Sequence, residues 1–286
     1  MFVFLLALIF AGALRPVAAD IHYTEEISNS GLGPKKVGAR KTTNNIYIKG
    51  ERQKVSSQIE TSKELAQALQ KEGKPLNSST ILRLDSAKVF KVDHLRQTYA
   101  QEVLLAPVAK PAAAKPAAAK PAAPSANGPE IQFQVKALPD TNRIEGILCR
   151  RVAAEMRARY YQPGTKTLRK ENRYLYQAWI AKDFPGYKEI ERFQRLQTEK
   201  TSFPPLISGD LDQLKGMVDD SDQLAEKTTV EELKGLVMES VLKVFVNTGK
   251  GEDQIFQLSR KIRNLSSSAL ADSVFEVPKD LNQIKK

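Results

Sequence analysis

The sequence predicts a mainly β protein: an antiparallel, strongly curved open sheet or half-barrel, with two or three helices packed on one face. Three observations carry this. Most apolar residues recur with period two, in runs separated by short Gly, Asn, Asp or Pro turns. Only three stretches show helical spacing. A single cysteine, Cys149, makes no internal disulfide, so a hydrophobic core must hold the chain.

The elements follow in order. Residues 1–19 read as a secretory signal peptide: Phe2 to Leu14 is apolar, and Val17-Ala18-Ala19 offers small residues before Asp20. Arg15 and Pro16 end the run well short of the roughly 20 residues a membrane-spanning helix needs. No Lys or Arg precedes the run, which departs from the usual signal pattern. No cysteine sits at the cleavage site to be acylated, so the expected product is soluble in the periplasm or outside the cell and is not a lipoprotein. Ile21 to Ile27 begins the sheet, and Ile46 and Ile48 share a face in the next strand. Residues 61–71 are expected to be helical, with Leu65 and Leu69 four apart and Gly73 and Pro75 ending the helix. Residues 80–85 and 89–93 form a hairpin about Ser86-Ala87-Lys88, and residues 97–104 a further strand.

Residues 106–128 hold five prolines among alanines, with Lys110, Lys115 and Lys120. Proline about every fifth residue blocks helix and favours an extended, semi-rigid spacer. Beyond it, Ile131, Phe133, Val135 and Ala137 alternate with polar residues. Residues 152–160 are good helix formers by type, yet their period is two for nine residues, and the period decides for strand. Tyr174, Tyr176, Ala178 and Ile180 mark another strand, as do Leu236 to Val246 and then Phe256 to Ile262. Helices are expected over residues 187–199, striped by Ile190, Phe193 and Leu196, and within residues 210–226, with a short turn near Glu231.

The chemistry-bearing residues are sparse. His22 and His94 stand apart from any metal-ligand spacing, and there is no nucleophile elbow or phosphate-cradling glycine loop. Glu25-Glu26 and Asp219-Asp220 read as solvated pairs, and Cys149 as a buried small hydrophobe. No enzyme activity, metal or cofactor is therefore expected; a hydrolase would need carboxylates converging in a cleft. Phe133, Val135, Met156, Tyr160, Tyr174, Tyr176 and Trp179 are candidates to line an apolar cavity under the sheet. Arg150, Arg151, Arg157 and Arg159 form a candidate basic face. Net charge is +11 including Arg15, hence +10 once the signal leaves. That charge suits anionic envelope polymers or headgroups, and export argues against nucleic acid.

Four stretches together resemble a family of exported bacterial proteins that carry a domain of unknown function. They are NNIYIKGERQK (44–54), TILRLDSAKVFKVDHLRQTY (80–99), EGILCRRVAAE with QAWIAKDFPGYKEI (145–155 and 177–190), and SSALADSVFEVPKDL (267–281). That family is similar in layout to the periplasmic lipoprotein carrier and its outer-membrane receptor. The resemblance implies that residues 20–105 and 129–286 form one β-rich domain interrupted by 106–128; the alternative is two small domains, of which the first would have a marginal core. It also implies a binder or carrier of an apolar or acylated ligand, a lipid or lipoprotein. The other reading is an interaction module that grips an anionic envelope polymer or partner protein.

Overall fold

A computed structural model describes residues 20–107, 129–162, 164–165, 167–184, 186–203, 233–249 and 251–284. The signal segment, most of the Ala-Lys-Pro repeat, and the helix and turn expected within 210–231 lie outside these residues. Among the described residues the chain runs β1 (Ile21–Asn29), β2 (Arg40–Lys49), β3 (Arg52–Thr61), α1 (Lys63–Lys71), β4 (Asn77–Arg83), β5 (Lys88–Asp93), β6 (Thr98–Val103), β7 (Glu130–Ile144), β8 (Ile147–Tyr161), β9 (Leu168–Ala181), α2 (Tyr187–Lys200), β10 (Leu236–Asn247), β11 (Glu252–Ser266), a 3₁₀ turn (Asp272–Phe275) and β12 (Asn282–Gln283).

All twelve strands belong to one curved, open sheet in the order β12-β6-β5-β4-β3-β2-β1-β11-β10-β9-β8-β7. Every pairing is antiparallel except β12 with β6. The join between the two halves of the chain is β1 against β11, with Glu25 opposite Ile262 and Ile27 opposite Arg260. The two strands that flank the Ala-Lys-Pro repeat, β6 and β7, therefore lie towards opposite edges of the sheet. Bulges between Ala137 and Thr141 and between Val237 and Glu239 add local twist to the long strands.

Strand β8 shows why period outranked propensity. Val152, Ala154, Met156 and Ala158 are buried and point to one side. Opposite them on β9 stand Ala178, Tyr176, Tyr174 and Asn172. This cross-strand layer continues through Leu242 and Val244 of β10 to Leu258 and Phe256 of β11. The β7–β8 turn places Glu145 at φ 51° and Gly146 at φ 77°, the two left-handed positions of a tight hairpin.

A second core cluster lies where α2 crosses the sheet. Ile190 and Phe193 of α2 are buried against Ile21, Tyr23, Ile46, Ile48 and Leu82, with Leu196 packed beside them. Gly186, just before α2, fits this crossing, because a Cβ there would overlap the side chains of Ile21 and Phe184. Ser62 caps α1 by accepting the Leu65 amide at 3.3 Å, and Gly73 at φ 73° ends it.

The structure adds two strands to those expected. β3 escapes a pattern search because RQKVSSQIET carries polar residues on both faces. β12 is a two-residue parallel addition beside β6. At β4 both faces are covered, since the neighbours Ile81 and Leu82 are both fully buried.

Candidate ligand-binding cavity

The loop between β1 and β2 folds over one end of the sheet. Its tip is a small hairpin: the Leu32 amide donates to the Val37 carbonyl at 2.8 Å, and the Val37 amide donates back at 3.2 Å. β11 anchors it. Ser30 N–H donates to the Gln257 carbonyl, and Gly33 N–H to the Ile255 carbonyl, each at 2.9 Å. Gly31 permits the turn, with φ 77° and its α-carbon so close to the Lys36 carbonyl that a Cβ would overlap it.

Beneath this lip lies a cavity of about 570 Å³. Its apolar walls are Leu32 and Val37 from the lip, Val244 and Val246 from β10, and Ile255 and Phe256 from β11; Tyr174 closes one side. Leu32 and Val37 are 58 % and 65 % exposed, so the lip presents apolar side chains that nothing else among the described residues covers. Arg40 and Lys170 also line the cavity, and no carboxylate does among the described lining residues. Lys170 Nζ lies 5.6 Å from the Tyr160 ring centre. Asn172 is buried in the wall; its Nδ2 donates to Tyr174 Oη at 3.3 Å, and its Oδ1 has no hydrogen-bond partner.

Of the seven residues expected to line a cavity, Tyr174 does so. Met156 and Tyr176 are buried in the core layer, with Phe133, Val135 and Tyr160 packed against it. Trp179 packs against the other cluster, and strand alternation sets it on the face opposite Tyr174 and Tyr176. The lip was missed in sequence because SGLGPKKVGA reads as a plain loop. The available signals were two apolar residues in a Gly- and Lys-rich tip, and an asparagine on the apolar face of β9.

The four arginines of the candidate basic face are largely occupied. Arg151 donates to Asp140 at 3.1 Å and Gln177 at 3.0 Å, and stacks 6.0 Å from Trp179. Arg157 donates to Glu155 at 2.6 Å, and Arg159 to Glu171 at 2.7 Å. Arg150 is exposed. The neighbouring strands continue the pattern with Arg173 bound to Glu252 and Arg263 to Glu239. Cations on this surface are mostly matched by carboxylates, supplied from an adjacent strand at Arg151, Arg159 and Arg263.

Elsewhere the titratable groups serve the fold. Glu25 is not solvated, contrary to its reading in sequence: it lies on the inward face of β1, pairs with Arg260 at 2.5 Å and accepts from Asn44 Nδ2 at 2.8 Å. Burial, with Glu25 nearby, pushes the Tyr23 phenol far above its ordinary range. His94 is less isolated than its sequence position indicates: Nε2 and Ser79 Oγ are 2.7 Å apart, and Ser79 Oγ lies 2.9 Å from Ser56 Oγ. Ser79 is 2 % exposed, so this chain of side chains ties β3, β4 and the end of β5 together in the interior. His22 stacks on Tyr47 at 4.8 Å. Cys149 is fully buried, and burial pushes its thiol pKa up. No group of three or more His, Cys, Asp or Glu with metal-binding placement occurs among the described residues. No helix among them is long and apolar enough to cross a membrane.

No protein-family model matches the chain, and no curated protein sequence matches it.

Proposed function

We propose that this protein is a non-enzymatic component of the cell envelope that binds or carries an apolar or acylated ligand, a lipid or a lipoprotein. The observation that carries the reading is the cavity beneath the β1–β2 lip. It is large enough for a small amphiphile, walled by Val244, Val246, Ile255 and Phe256, and flanked by exposed Leu32 and Val37. Concave, mostly apolar sites with a few placed polar groups are the usual form of small-molecule pockets. Export rests on the first nineteen residues. The sequence resemblance to a family of exported proteins, itself similar in layout to the lipoprotein carriers, is an analogy at the level of fold alone that points the same way. The ion pairing of Arg151, Arg157 and Arg159 weighs against the alternative, an anionic-polymer grip through that face.

The test is native mass spectrometry of the mature protein from an exporting host, followed by solvent extraction. The proposal expects a bound mass that extracts as a lipid, and its loss in Leu32→Asp with Val37→Asp. An apo mass that persists after exposure to envelope lipids contradicts it.

A further inference from the structure

The next inference rests on the apolar-cavity reading and concerns the ligand's head. Arg40 and Lys170 are the charged groups among the described lining residues, and both are cations. Across the rest of the sheet the arginines Arg151, Arg157, Arg159, Arg173, Arg260 and Arg263 each meet a carboxylate. The structure gives Arg40 and Lys170 no such partner among the described residues. Two cations beside an apolar wall, with no carboxylate to match them, complement a negative group on the occupant.

Asn172 adds an independent sign. It follows Lys170 by two residues and precedes Tyr174 by two, so all three side chains share one face of β9. The residue is 8 % exposed, and its buried Oδ1 accepts from nothing. Buried polar groups are nearly always paired, so an orphan in a pocket wall marks where a ligand donor belongs. Cavity size sets the number of chains. At roughly 30 Å³ for each water-sized group, about 570 Å³ holds on the order of twenty such groups. That is one acyl chain with its head.

We infer that the cavity takes a single-chain anionic amphiphile with a hydroxyl or amide donor next to its head. The tail lies among Leu32, Val37, Val246 and Phe256, the negative group is held by Arg40 and Lys170, and the donor is accepted by Asn172. A lysophospholipid and an N-acylated amino acid or peptide share this chemistry.

The experiment is a calorimetric titration of the mature protein, at probe concentrations where the amphiphiles stay monomeric. The probes are 1-palmitoyl-lysophosphatidylglycerol, N-palmitoylglycine and the neutral 1-palmitoylglycerol. At least one anionic probe is expected to bind tenfold or more tighter than the neutral one, and raised salt should narrow the gap. The tighter of the two anionic probes identifies the source, and either result supports the inference. In Arg40→Gln with Lys170→Gln, checked for folding by circular dichroism, the preference should fall below threefold while the neutral probe is held within twofold. Asn172→Leu should weaken all three donor-bearing probes. Dipalmitoyl phosphatidylglycerol should compete at least tenfold less well than its lyso form. Equal binding of charged and neutral probes, a preference that survives the double substitution, or equal competition by the two-chain lipid overturns the inference and leaves the cavity reading standing. Failure of every probe to bind overturns the cavity reading itself.

Discussion

Glu25 and Arg260 meet on the inward face of the sheet, at the join between the two halves of the chain. Removing one partner of a buried pair strands the other charge away from water. Glu25→Ala is therefore expected to lower stability by about 3–5 kcal/mol in denaturant unfolding. The exposed pair of Lys91 with Glu102 serves as the control. Lys91→Ala should change stability by less than about 1 kcal/mol, because solvent screens such pairs. A similar loss in both variants contradicts this assignment. Cys149 gives a second check: fully buried, with its thiol pKa raised, it should resist iodoacetamide at pH 8 in the folded protein and label rapidly once denatured. The burial of Cys149 was legible in sequence from residue type. The burial of Glu25 was not, since a Glu-Glu pair looks solvated until a strand 235 positions downstream supplies Arg260.

At the scale of elements, α2 closes the second core cluster. Phe193→Ala removes a fully buried ring between helix and sheet, and should cost about 3–5 kcal/mol. The C-terminal segment is held by charge at the β2–β3 turn. Lys49 Nζ lies 2.9 Å from Asp272 and donates to the Leu270 carbonyl at 2.6 Å, while Arg52 lies 3.5 Å from Asp272 and 2.7 Å from Asp85. The Lys49 hydrogen bond holds the Asp272 carboxyl below its ordinary range. At Asp85 burial acts to raise the pKa, but hydrogen bonds from Arg83 and Arg52 outweigh it and hold the carboxyl low. A folded-state pKa below the unfolded value gives stability that is present above the unfolded value, near 3.9, and lost as pH falls through the folded one. Hydrogen exchange should thus show residues 267–281 loosening below about pH 4, with no matching change between pH 5 and 8. The motifs around KGER and LADS were visible in sequence. Their contact was not, because more than two hundred residues separate them. β3 stayed hidden for a different reason: its polar residues answer cross-strand partners such as Ser79 and Asn44, which a period-two search does not see.

Among the described residues all strands form one sheet with the β1–β11 pairing near its middle, so β6 and β7 stand towards opposite edges. β6 and β7 are ten strand positions apart, roughly 48 Å along a flat sheet. A chain the length of residues 104–129 can reach roughly 85 Å when extended, more than that separation. A protease site placed within residues 111–123 should therefore yield two fragments that stay associated and unfold in one transition. Fragments that separate on a sizing column contradict the single-sheet account. The sheet itself was largely legible from its period-two runs and turns, because one-sided burial imposes that period. The cavity was not, because it depends on where the β1–β2 lip comes to rest against β11. That lip is the centre of the functional account, and crystals of the mature protein grown with a terminally brominated N-acylglycine test it most directly. The account predicts an anomalous bromine peak between Val246 and Phe256 beneath Leu32 and Val37, abolished by Leu32→Asp with Val37→Asp. A peak elsewhere on the molecule, with binding intact in that variant, would contradict it.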